Sequence, residues 1–320
     1  MKELDFIKTI KETLSDNSFI GDDCADLNDV GMFITQDTLV EDVHFSLKTT
    51  TPFQLGQKAV AVNISDLAVT LCNPEYISIG LSLPESISVD FVREFYQGVD
   101  FACKKYTVKV TGGDITASEK VFISIAAIGR RRHDVNISRK YAQAGDFIIT
   151  TGFYGTSAAG LYALNNNISV PKIITDAHLT PEARLFEAHE AGKYLERDSA
   201  AMDTSDGLAD ALFKVAKASN VSISVNFDDI PVLPEVKELA LKNKIDLKDW
   251  VLWGGEDFEI VFFVPYFVFA SLSSQGFKYL GTVGENKTEN VPLVEITENN
   301  QNLIIDEKVL SEKSFNHFGG

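Results

Sequence analysis

Leu4, Ile7, Ile10 and Leu14 recur at helical spacing, which predicts a helix over residues 3–14. The apolar positions then change period. Residues 31–35 form a short strand-like run into Gln36-Asp37, and residues 52–72 form a long, almost wholly apolar helix opening at Pro52 and stopping before Asn73-Pro74. Tyr76–Leu83 is predicted as a strand, Val89–Tyr106 as an amphipathic helix, Thr107–Thr111 as a strand ending at Gly112-Gly113, and Val121–Ile128 as a further strand. Such alternation predicts an α/β (α+β) unit over residues 1–135. A second unit, residues 136–320, follows the basic connector Arg130-Arg131-Arg132-His133. There Phe147–Thr151, Ala200–Asp203, Ser222–Phe227, Phe258–Val264 and Lys278–Val283 are predicted strands. Thr156–Leu164, Pro181–Tyr194 and Gly207–Ala218 are predicted helices.

The polar interruptions are more telling than the elements. Six acidic motifs stand beside small or polar residues: Gly21-Asp22-Asp23, Thr35-Gln36-Asp37, Ser65-Asp66, Gly112-Gly113-Asp114, Asp203-Thr204-Ser205-Asp206 and Gly254-Gly255-Glu256-Asp257. Most fall where an element is predicted to start or stop. Asp66 lies inside the apolar run Ala59–Val69, three residues after Asn63 and on the same helix face. A carboxylate there is costly to bury unless it is paired or bound to metal. Oxygen ligands of this kind suit a hard cation such as Mg²⁺, whose usual work is on phosphates. Each motif also has a plainer reading. Gly-Asp and Gly-Gly-Asp are common turns, and Ser205 or Asp206 could cap the helix that follows. His44 could be an ordinary loop histidine, and Arg139 either a surface residue or a phosphate contact at the junction of the two units. Ile64-Ser65-Asp66-Leu67-Ala68 and Thr204-Ser205-Asp206-Gly207-Leu208-Ala209 resemble each other, a hint of related halves.

Composition narrows the choice. With 46 acidic against 29 basic residues the net charge is −17, which argues against nucleic acid as the partner. Cys24, Cys72 and Cys103 are widely spaced and suit a reducing, cytoplasmic setting rather than a disulfide framework or zinc knuckle. No signal peptide is expected from the opening residues, and no apolar run approaches the ~18 residues of a membrane span. Neither the Walker A pattern nor G-x-G-x-x-G is present, so a nucleotide would have to be held otherwise.

In order, Gly-Asp-Asp-Cys-Ala, Asp-Thr-Leu-Val-x-x-x-His-Phe, Lys-Ala-Val-Ala-Val-Asn-Ile-Ser-Asp-Leu-Ala, Gly-Gly-Asp, Asp-x-Ser-Asp-Gly-Leu and Gly-Gly-Glu-Asp resemble the thiamine-monophosphate kinase family. That family belongs to the aminoimidazole ribonucleotide synthetase-like superfamily. The resemblance implies a two-domain fold whose N-terminal mixed sheet forms the core of a homodimer. It also implies ATP and several Mg²⁺ ions in a cleft, with thiamine monophosphate as phosphoryl acceptor. By the same resemblance Asp23, Thr35, Gln36, Asp37, Asp66, Asp114, Asp203 and Asp206 would hold metal. Tyr106, Gly113, Asp114, Arg139 and Ser205 would touch ATP, and His44, Glu256 and Phe315 the thiamine phosphate. The catalytic set would be Asp37, Asp66, Asp114, Arg139 and Asp206. Relatives carry Ser-Thr-Asp where this chain has Thr35-Gln36-Asp37, and Gly-Tyr-Asp-His-Phe where it has Ser-Phe-Asn-His-Phe. Another ATP enzyme of the superfamily, or a non-catalytic regulator binding ATP and Mg²⁺, are the alternatives.

Overall fold

The structure is a computed structural model that describes residues 3–286 and 293–314. Two sheets organise it. The first contains β1 (Ala25–Leu27), β2 (Met32–Val40), β3 (Asn73–Leu83), β4 (Lys109–Ala117) and β5 (Phe122–Arg130), in the order β1-β2-β5-β3-β4. Its pairs are antiparallel except β3–β4, which is parallel and therefore needs the crossover helix α3 (Val89–Tyr106). Helix α1 (Glu3–Thr13) precedes this sheet, and α2 (Pro52–Val69) packs with α3 on one face of it. The face is set by alternation. Phe33, Thr35 and Leu39 of β2, with Ile123, Ile125 and Ala127 of β5, point to the helices and are buried. Gln36, Ser78 and Phe122 point the other way and are exposed.

The second sheet has the order β12-β11-β8-β10-β6-β9-β7, built from β6 (Phe147–Thr150), β7 (Ala200–Asp203), β8 (Val221–Asn226), β9 (Ile260–Val264), β10 (Lys278–Glu285), β11 (Leu293–Glu298) and β12 (Gln301–Ile305). Helices α4 (Thr156–Asn165), α5 (Lys172–Leu179), α6 (Leu185–Gly192), α7 (Leu208–Ser219), α8 (Pro234–Asn243), α9 (Leu247–Trp253), α10 (Tyr266–Ser273) and α11 (Glu307–Lys313) surround it. The whole is a mixed α/β fold.

Helix α2 positions the site. Thr51 caps it in a reciprocal capping box with Gln54, and Pro52 opens it. It ends at Val69, three residues before the predicted limit, because Leu71 turns left-handed with φ 59°. It is apolar almost all round, so it must be covered on all sides. Its first turns pack on the first sheet and α3. Its last turn, with Ala68 and Val69, and Leu71 just beyond it join a core containing Ile149, Ala188 and Phe262 from the second half. Gly56 and Gly98 let α2 and α3 approach closely: a Cβ on Gly98 would lie 2.0 Å from the carbonyl oxygen of Phe53.

Two predicted boundaries are corrected. Thr35-Gln36-Asp37 does not end a strand, since β2 pairs with β5 in register from Met32 to Val40. Gly112-Gly113-Asp114 lies inside β4, after a bulge opposite Ile77 and Ser78. Gly113 is there because a Cβ would sit 1.8 Å from the carbonyl oxygen of Ile79, so glycine marks a close approach rather than a stop.

Candidate active site

Asp23, Asp66 and Asp203 arrive from three places: the loop before β1, the last turn of α2, and the end of β7. They offer carboxylate oxygens that all lie within 4.8 Å of one another. At an effective dielectric near 20, two unit charges that close repel by about 3 kcal/mol or more. Asp203 is 1% exposed. Burial, then the Asp23 carboxylate, push it up to about 7, against the hydroxyls of Ser65 (2.7 Å) and Ser205 (3.1 Å), which donate to it. Burial, with Asp37 and Asp203, pushes Asp66 well above the usual carboxylate range, although the Thr35 hydroxyl donates to it at 2.5 Å. Burial, then Asp206 and Asp23, push Asp37 up to about 6. Its backbone N–H donates to Asn63 Oδ1 at 3.0 Å, which ties β2 to α2. The donor set is all oxygen, anionic and under-neutralised, which is what a hard divalent cation requires.

Two cations limit the repulsion at the rim. Arg139 donates from its guanidinium to Asp23 and to the Gly21 carbonyl, while its Nε is buried without a partner. Asp22 points away from the cluster and accepts from the Ser138 hydroxyl (2.7 Å) and the Arg139 N–H (3.0 Å). Lys214 of α7 lies 2.9 Å from Asp206 and 2.7 Å from Asp210. A cavity of about 300 Å³ opens beside Asp22 and Asp23, lined by Phe19, Ile20, Thr70, Lys140 and Tyr141 among others.

The Gly254–Asp257 loop stands apart from the carboxylate cluster. Glu256 takes a left-handed backbone (φ 56°) and donates its N–H to the Ser205 carbonyl at 2.7 Å. Burial opposes its charge, but Lys58 and His178 hold it down to about 2. Asp257 caps α4 from a distance, accepting from the N–H groups of Gly155 (2.7 Å) and Ser157 (2.9 Å).

A family model described as AIR synthase related protein, N-terminal domain, matches residues 21–131. A thiamine-monophosphate kinase of Aquifex aeolicus (strain VF5) is 35% identical over 269 residues, covering 82% of this chain and 86% of that protein. The chain belongs to the thiamine-monophosphate kinase family. A thiamine-monophosphate kinase of Synechococcus elongatus is 34% identical, with 75% of each chain covered. The solved structure of AaThiL complexed with AMPPCP and TMP superposes with a TM-score of 0.86 at 30% identity, over 99% of this chain and 97% of that one.

Within this thiamine-monophosphate kinase fold, the residues singled out from sequence divide into groups. Asp23, Thr35, Asp37, Asp66, Asp203 and Ser205 are drawn together, with Arg139 and Asp206 at the rim. Gln36 points to the opposite face of β2 from Thr35 and Asp37, and donates to Ser124 Oγ at 2.9 Å. Asp114 pairs with Gly80, and Gly80 with Ser124, so it shares that open face on an exposed edge strand. Gly113 is beside it in β4, and exposed. Tyr106 is 7% exposed, and its hydroxyl accepts from the Ala183 N–H at 3.0 Å, which places it in the core between α3 and the second half. His44 accepts at Nδ1 from the Val40 N–H at 3.0 Å. Phe315 lies outside the described residues.

Lys58, His178 and Lys214 have no role assigned from sequence, although Lys58 opens the Lys-Ala-Val-Ala-Val-Asn-Ile-Ser-Asp-Leu-Ala motif. Lys58 had a signal: it is a lone cation in an apolar helix. His178 had none, because its partner Glu256 is far away in sequence.

Proposed function

We propose that this chain transfers the γ-phosphoryl group of ATP to thiamine monophosphate, giving thiamine diphosphate and ADP, by direct in-line displacement. The carboxylate cluster Asp23–Asp66–Asp203 carries the reading, as an under-neutralised oxygen site of the kind that holds Mg²⁺. Family membership supports it, as does likeness to a structure complexed with AMPPCP and TMP. Asp37, Thr35 and Asp206 would complete the shell for more than one ion. Bound Mg²⁺ would supply neutralisation of the phosphate oxygens on which charge accumulates.

The acceptor phosphate, with a second pKa of about 6, is already largely dianionic and needs no strong base. The protein's task is to bring two anions together and align them. Arg139 would turn its unpartnered Nε to a phosphate oxygen. Ser205, beside the cluster, would contact ATP, with Tyr106 and Gly113 assigned to the nucleotide by family likeness alone. His44 and Glu256, and Phe315, would face the thiamine end.

The same reading divides the chain into domains 1–135 and 136–320, makes it cytoplasmic, and pairs two copies through the open face of the first sheet. That face carries exposed Tyr76 and Phe122 and the exposed edge strand β4, which supports a sheet-on-sheet contact. Gln36 and Asp114 would then lie at the subunit boundary. No described helix is long and apolar enough to cross a membrane.

A single-turnover experiment with ATP labelled in the γ-phosphate tests the transfer. The label is expected in thiamine diphosphate, with none on protein at any quench time. A labelled protein that forms and decays at the rate of turnover would replace direct transfer with a phosphoenzyme route.

A further inference from the structure

Two buried donors that belong to neither the metal set nor the ATP set converge on Glu256. Lys58, in the middle of α2, is 1% exposed; its Nζ donates to Glu256 Oε2 at 3.1 Å and to the His44 carbonyl at 3.1 Å. His178, in the last turn of α5, is 5% exposed and places Nδ1 3.1 Å from the same Oε2, with Ser157 Oγ 3.3 Å away. A carboxylate oxygen only accepts, so Nδ1 is the protonated ring nitrogen. Both donors use one oxygen. No donor among the described residues reaches Oε1, and the side chain keeps 26% exposure. The backbone is fixed as well, by its left-handed φ and by the N–H bond to Ser205. The result is a carboxylate anchored from behind, with no donor among the described residues on its other oxygen.

We propose that Lys58 and His178 are positioning residues for the acceptor end of the site. They hold Glu256 so that Oε1 receives an N–H donor or the positive ring of the acceptor, and Lys58, through the His44 carbonyl, locks the His44 segment against it. This rests on the kinase reading above and adds to it two residues and an orientation. Lys58 spans the two halves of the molecule, since His44 follows β2 and Glu256 precedes β9. A buried ion pair is weak evidence for stability, because an apolar pair of similar volume often serves as well. Retaining one beside a candidate ligand acceptor points instead to placement of the carboxylate.

The test is steady-state kinetics of the full chain with Mg²⁺, for wild type, Lys58→Met, Glu256→Gln and the double variant. KM for thiamine monophosphate is read at saturating ATP, and KM for ATP at saturating thiamine monophosphate. Lys58→Met is expected to raise the first by roughly tenfold or more and to leave the second within about twofold. The double variant is expected to be no worse than Glu256→Gln alone, the signature of two residues acting as one unit. If Lys58→Met does not fold, His178→Phe carries the same split. An active wild type with both KM values unmoved in the variants, both raised equally, or losses that simply add would overturn the inference and leave the kinase reading intact. A wild type inactive with thiamine monophosphate would remove the reading and the inference together.

Discussion

Asp203 sits nearly without solvent beside two other carboxylates, and the hydroxyls of Ser65 and Ser205 that donate to it do not bring it back to the usual carboxylate range. Function and stability should therefore part company at this residue. Asp203→Asn or Asp66→Asn removes one of the repelling charges. Each variant should melt higher than wild type without metal, by on the order of 1 kcal/mol, and lose phosphoryl transfer by about a hundredfold or more. Thermal melts with EDTA, run beside turnover assays, check both halves. A variant that melts lower and still turns over would place that carboxylate in a structural role.

At the scale of elements, the close crossing of α2 and α3 fixes where Asp66 and Lys58 stand. Gly98→Ala would set a methyl group against the Phe53 carbonyl, so the helices must separate. The expected loss is about 1–3 kcal/mol of stability in a denaturant titration, with weakened activity from displacement of α2. An unchanged midpoint would mean that the crossing is looser than its geometry. The elements also show what the sequence revealed. Helix α3 falls on its predicted residues, Val89–Tyr106, because Ser88 caps it and its apolar stripe is regular. Strand β2 was read too short, because its continuation depends on pairing with β5, which no local signal carries. The short helices α5, α8, α9 and α10 and the strands β11 and β12 were not anticipated, since brief elements held by tertiary contact have weak periodicity. Of the six acidic motifs, Asp66 was legible as a costly charge in an apolar run, and the others as carboxylates gathered mostly at element ends. The side that Gln36 and Asp114 face was not, because it follows from sheet register. Of the two similar Ser-Asp segments, the first reaches the residue just before the second, Ser65 donating to Asp203. Asp66 lies in the last turn of a helix, whereas Asp206 precedes one.

For the molecule as a whole, the cluster lies on the seam between halves, with Asp23, Asp37 and Asp66 from the first and Asp203 from the second. Its charge should shape the pH dependence of stability. Asp37 and Asp203 titrate in the fold at about 6 and about 7, above the unfolded value of 3.8, and Asp66 is raised too. Groups raised in this way favour the fold when protonated, so metal-free stability should fall as pH rises from about 4 to about 7. Mg²⁺ should remove much of that slope. It should not remove the share of Asp257, which burial also raises to about 7 but which faces α4. Glu256, held down to about 2 from 4.5, works in the opposite sense, and its contribution is lost as pH falls below about 4.5. Melting curves across pH 2–8, with and without Mg²⁺, measure these effects. Identical slopes in both series would mean that the cation binds elsewhere. The most direct test of the central claim is ADP release in a coupled assay with thiamine monophosphate or free thiamine as acceptor, in Mg²⁺ or in EDTA. The account predicts Mg²⁺-dependent ADP production with thiamine monophosphate and none above background with thiamine. ADP production only with thiamine, or equal production with no acceptor, would contradict it.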